Sequence, residues 1–544
     1  MPPRGTESVV IQAPIRDNDP KSDCFGITRT HIDAPETRKA KTIKSAQQSK
    51  PQKNNCYFTT EDLRENLAKK TARGGVYTLA ATAINFLVTV TSTILVTRKL
   101  TDEDFGLVAM VTVLTGFASI FLDLGLSKAV IQKPKINHDQ VSTLFWINIA
   151  VASIIATIVA AATPLLIWVY NEPRLLPINL ALSSLFIVSA LGIQHRALLA
   201  RRMEHGKISL VAILATPIAA AVAITIAYLG GKYWALVAIP AVSQLAIVIG
   251  MWIACPWIPG RPKRGTGVRE MLGFGSQVTG FQFVNYFARR ADNALLGYQF
   301  GAGPLGLYDR AYSLMLMPAR KLNGPIVNVV VPALSRLCED PVKYRKAFLA
   351  CLTPISYFQT LLVGFTLLNI ENLVILFLGE NWVKIVPVFY ALSLAAVAAG
   401  TNGVGGWLYL SYGHVDAQLK WSLFQSSVML LGLAIGVQFG TIGTALAVSI
   451  VYTLSKPLAI IYSSRPTPIA ARDILICVYK PVGIALIALA MTMTVILFYE
   501  PNNPWLQILV RSSLYGGFVL LLIAAIPWLR KDITEAIKNI RLLR

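Results

Sequence analysis

Apolar stretches of about twenty residues recur along this chain, and each is long enough to carry a helix across a lipid bilayer. They fall roughly at 76–97, 105–127, 141–166, 176–195, 208–230 and 233–255, then at 272–300, 304–333, 347–370, 383–410, 418–438 and 440–463, with a last pair near 474–499 and 505–529. Because a bilayer offers no partner to an open backbone, such a chain is expected to be an all-α integral membrane protein with about fourteen spans. Composition agrees: only 14% of the 544 residues are charged and mean hydropathy is +0.55. A soluble domain of this size would have too little polar surface.

Charge placement sets an expected orientation, since short cytoplasmic connections accumulate Lys and Arg. With the N-terminus inside, eighteen cations fall in inner connections, among them Lys128, Arg201, Lys263, Arg345 and Arg472, against five in outer ones: Arg98, Lys99, Arg174, Lys232 and Lys384. Both termini are thus expected to be cytoplasmic. The formal charge of +22 is then mostly a topology signal, and no nucleic-acid partner is implied. Residues 1–73 read as a basic, mostly disordered tail with a short interfacial helix near 60–70, and residues 530–544 as a second basic tail. Six cysteines without CxxC spacing and five histidines without metal-ligand spacing argue against a structural zinc or a disulfide framework, and no cofactor is implied.

A shift of 200 residues superposes Gly75 on Gly275, Asn85 on Asn285, Phe86 on Tyr286, Gly106 on Gly306 and Leu107 on Leu307. The two six-span sets also match in order. The chain therefore divides into a first lobe at 74–260, a second at 261–470 and an appended pair of spans at 471–529, with any substrate site expected between the lobes.

The stretch FARRADNALLGYQF, residues 287–300, places four polar or charged residues inside an apolar run. A charge near the hydrocarbon centre costs at least about 2.5–3.5 kcal/mol unless it is paired or hydrated. At helical spacing Gln282, Asn285, Arg289, Asp292 and Asn293 share one face, with Arg290 beside it, and the next span carries Arg310, Arg320 and Lys321 in similar register. Two readings stay open. These residues line a cation-rich cavity, or Arg289 and Asp292 form a buried pair that locks the lobes. Asp123, near the inner end of the second span, is weighed as a structural pair or cap against a proton or cation site. GAGPLG (301–306) follows no strand and reads as a turn with a helix-starting Pro304, and GTNGVGGW (400–407) as a kink.

LVTRKLTDEDFGLVAMVTVLTGFASIFLDLGLSKAVIQ with VSTLFWIN, then YDRAYSLMLMPARKLNGPIVNVVVPALSRL and FLGENWVKIVPVFYALSLAA, resemble the polysaccharide transport family of oligosaccharide flippases, within the multidrug/oligosaccharidyl-lipid/polysaccharide exporter superfamily. The resemblance covers roughly residues 70–500. It implies a two-lobed helical transporter in a bacterial inner membrane that moves undecaprenyl-pyrophosphate-linked saccharides for exopolysaccharide or lipopolysaccharide synthesis. The partners that follow are the lipid-linked oligosaccharide, membrane lipids, H+ or Na+ as a coupling ion, and polysaccharide polymerase machinery. A drug antiporter of the same superfold would not need so cationic a cavity. A polymerase or ligase would need a larger outer domain than these short connections provide.

Overall fold

The computed structural model describes residues 67–123, 125–133, 136–263, 286, 290–400, 403–498, 501–527, 529, 530 and 534. Among them there is no strand. The part of the chain expected to form the first lobe, called the first lobe below, carries α1 (Leu67–Thr97), α2 (Asp102–Ser119), a short α3 (Leu126–Gln132), α4 (His138–Ala161), α5 (Thr163–Tyr170), α6 (Leu175–Arg201), α7 (His205–Tyr228) and α8 (Trp234–Ala254). The part expected to form the second lobe carries α9 (290–300), α10 (Ala302–Ser335), α11 (Pro341–Leu373), α12 (Val386–Gly400), α13 (Gly403–Tyr412), α14 (Val415–Gly436) and α15 (Gly440–Ser464). Helices α16 (Ala471–Ile496) and α17 (Pro504–Ala525) follow.

By length and composition, nine helical stretches among the described residues can cross a membrane, and one of them, Asp416–Ser464, is long enough to hold two helices. The all-helical, multi-span expectation therefore stands at that coarser count. The expected span at 105–127 is shorter than its hydropathy suggests: α2 ends at Ser119, and the chain turns before α3. Asp123 explains the break, because its carboxylate accepts from the Ser127 backbone N–H at 3.0 Å and from the Ser127 hydroxyl, which caps the start of α3. The span expected at 141–166 falls within one candidate span, His138–Tyr170, with a turn at Ala162 between α4 and α5. The helix expected near 60–70 is described only from Leu67 onward, where it continues into α1. Most of both tails lies outside the described residues.

Apolar packing divides the body into two unlike ends. At the end carrying the turns at 98–101, 171–174, 229–233 and 379–385, one buried cluster draws on both lobes, with Val96, Leu107, Leu175 and Ile178 from the first and Leu296, Leu305 and Trp382 from the second. At the opposite end each lobe has its own cluster. Leu126, Leu144, Leu198 and Trp257 pack within the first lobe, and Leu334, Tyr344, Phe348 and Trp407 within the second. Among the described residues the lobes thus share a core at one end only.

Two contacts fix this arrangement. Where α2 crosses α10, a Cβ at Gly106 would lie 1.7 Å from the Ala302 carbonyl oxygen, and one at Gly306 would lie 1.8 Å from that of Asp102. Only hydrogen fits at either position. The start of α2 is itself well defined, since Thr101 and Asp104 form a reciprocal capping box. The connector after α8 is strapped to the first lobe: the Trp257 indole N–H donates to His138 Nδ1 at 3.1 Å, and Gly260 N–H donates to Ser142 Oγ at 2.9 Å. Lys263 Nζ reaches Asp139 at 2.8 Å. The appended helices pack on α11, where Asn372 donates to Gln507 at 2.7 Å and Arg511 to the Leu368 carbonyl at 3.0 Å.

Candidate functional site

The polar stretch that breaks the apolar pattern runs into α9, and Gly301, at φ +77, turns the chain directly into α10. This tight connection brings residues sixteen positions apart in sequence side by side. The Asp292 carboxylate accepts from the Tyr308 hydroxyl at 2.8 Å and from the Asn293 backbone N–H at 2.9 Å. The Asn293 side-chain amide donates to Asp309 Oδ1 at 2.8 Å, and Arg290 Nη1 approaches the same oxygen at 3.4 Å. Asp292 and Asn293 are both buried, whereas about a third of the Arg290 side chain is exposed. Among the described residues the carboxylate that its guanidinium meets is that of Asp309.

Arg310, one residue beyond Asp309, faces the other lobe. Its Nη2 donates to the Thr93 carbonyl at 3.3 Å and to the Thr97 hydroxyl, both on α1, and its guanidinium carbon stands 4.7 Å from the centre of the Phe105 ring on α2. Tyr286 also bridges the lobes, donating to the carbonyls of Thr112 at 3.1 Å and Val113 at 2.8 Å. The structure thus joins Arg290, Asp292 and Asn293 into one network, while the hydrogen bonds of Arg310 run to α1. Asn285 and Arg289 lie outside the described residues, as do the side chains of Arg320 and Lys321. Asp123 is remote in sequence, and its carboxylate accepts from Ser127 at the start of α3.

Sequence reasoning missed Tyr308, Asp309 and Thr97. Asp309 offered a signal, being a second acid inside an apolar span one position before a flagged Arg. Thr97 offered none, because its role depends on contacts made across the lobes.

A cavity of about 340 Å³ lies between α1, α10, α11 and α12. Phe86, Val90, Leu314, Met317 and Leu362 give it an apolar lining, and the buried Gln359 adds an amide with no hydrogen-bond partner among the described residues. Leu87 and Phe358, next to lining residues on α1 and α11, are largely exposed. Among the described residues no group of acidic, His or Cys side chains could hold a metal ion.

The profile of a family described as polysaccharide biosynthesis protein matches residues 72–387. The lipopolysaccharide biosynthesis protein WzxC of Escherichia coli (strain K12) is 26% identical over 412 residues, spanning 74% of this chain and 82% of that protein. The teichuronic acid biosynthesis protein TuaB of Bacillus subtilis (strain 168) is 25% identical over 346 residues, covering 62% of this chain and 70% of its own length. Among solved structures, the lipid II flippase MurJ in an inward closed conformation is similar with a TM-score of 0.61 at 14% identity, over 84% of this chain and 99% of that one. That likeness is one of fold.

Proposed function

The chain belongs to the polysaccharide biosynthesis protein family, and from that premise we propose that it is a flippase for lipid-linked oligosaccharide repeat units, a transporter and not an enzyme. In this reading it sits in a bacterial inner membrane with both termini cytoplasmic, as two six-span lobes and a C-terminal pair of spans. The lobes rock about a central cavity lined by Asn285, Arg289, Arg290, Asn293, Arg320 and Lys321. The cargo is an undecaprenyl-pyrophosphate-linked saccharide, whose phosphates match the forked donors of arginine.

The observation that carries this reading is the shared core at one end of the molecule and the two separate cores at the other. A two-lobed body joined at one end has the form of one state of an alternating-access cycle. The lateral apolar cavity is suited to a hydrocarbon tail that stays at the edge of the protein while the head group crosses.

Arg289 tests the proposal. Arg289→Ala is expected to leave the protein at normal abundance in the membrane and to stop saccharide export, while Arg289→Lys keeps part of the activity by retaining charge without the fork. Full export by Arg289→Ala would remove Arg289 from the cargo site.

A further inference from the structure

Thr97 is a point where the two lobes are tied by both side chain and backbone. Its hydroxyl donates to the Thr93 carbonyl at 2.6 Å within α1 and accepts from Arg310 of the second lobe. Its carbonyl accepts from the Trp382 indole N–H at 3.0 Å, also from the second lobe. Phe105 fills the space between them, edge-on to Trp382 with ring centres 5.3 Å apart and under the Arg310 guanidinium. The next residue after Thr97, Arg98, donates to the carbonyls of Phe377 at 3.0 Å and of Leu376. Thr97 is fully buried, and the whole cluster lies at the end where the lobes share a core.

We propose that Arg310, Thr97, Phe105 and Trp382 form an interlobe latch that holds this end closed and must release for the transporter to open there. The latch is a gating device and does not bind cargo. Its chemistry suits reversible use. Among the described residues the Arg310 guanidinium meets a hydroxyl, a carbonyl and an aromatic face, with no carboxylate in salt-bridge range, and its Nε is buried without a hydrogen-bond partner. A permanent structural arginine would be expected to have a fuller set of acceptors. Separation of the lobes would return the guanidinium to a wetter environment, which offsets the loss of these contacts.

The inference rests on the alternating-access reading proposed above and can be tested without cargo. In a chain with all six native cysteines replaced, Met110→Cys supplies a reporter: Met110 is fully buried, and a Cβ at Gly297 in the second lobe would lie 3.4 Å from its Cγ. Leu144→Cys, buried in a cluster confined to the first lobe, supplies a control. Adding Thr97→Val, which keeps shape but loses the acceptor, is expected to speed reaction of the Met110→Cys thiol with a thiol reagent on the purified, detergent-solubilised protein by roughly tenfold, the size expected for losing one charge-assisted hydrogen bond, and Trp382→Phe, which loses a neutral one, is expected to speed it by less. The control thiol is expected to stay protected. Unchanged labelling of the reporter in both variants would overturn the latch, and so would equal acceleration of reporter and control, which signals general loosening. Because neither readout involves saccharide, failure of the latch is distinguishable from failure of the flippase reading.

Discussion

Asp292 and Tyr308 show how this fold accommodates an acid inside an apolar span. The carboxylate is buried, and the Tyr308 hydroxyl donates to it at 2.8 Å. Tyr308→Phe removes that donor and leaves a buried acceptor short of a partner, so a loss of about 1–3 kcal/mol is expected. Asp292→Asn keeps a carbonyl oxygen for the tyrosine and is expected to be milder. Thermal unfolding of the purified variants checks this order, and an equal effect of the two would contradict it. The unusual residues here were legible in the sequence, because Arg290, Asp292 and Asn293 interrupt an apolar run. Their partners were not, because Asp309 and Tyr308 reach them only through the turn at Gly301.

The crossing of α2 with α10 is the decisive contact among the elements. Gly106 and Gly306 stand at matching positions of the 200-residue repeat, so the sequence marked them as equivalent, but nothing in it said that they meet. Each faces backbone of the opposite helix, which has no rotamer through which to retreat. Gly106→Ala is therefore expected to force the helices apart at the shared end, lowering export and accelerating reaction of a Met110→Cys thiol. Wild-type export by Gly106→Ala would contradict the contact. Hydropathy also failed at the second span, since a run such as FLDLG looks continuous until Asp123 is seen to cap a new helix.

Across the whole molecule the expected sidedness makes a joint prediction. Single cysteines at Asn171, Gly303 and Asn502 are expected to react with an impermeant thiol reagent added outside, and those at Asn137, Gly265 and Thr467 to stay unlabelled. Labelling of Gly265→Cys from outside would reverse the lobe assignment. The all-helical, multi-span fold class was legible because span length is a property of the chain itself. Which end is closed depends on packing between distant segments, and it emerges only from the shared and separate cores. The central claim is that the protein carries lipid-linked saccharide between leaflets, and the most direct measurement is the leaflet in which that intermediate resides when the protein is absent. A deletion strain is expected to accumulate it on the cytoplasmic side, protected from an impermeant saccharide-cleaving enzyme until the cells are broken. Accumulation in a form that the enzyme cleaves on intact, outer-membrane-permeabilised cells would contradict the account.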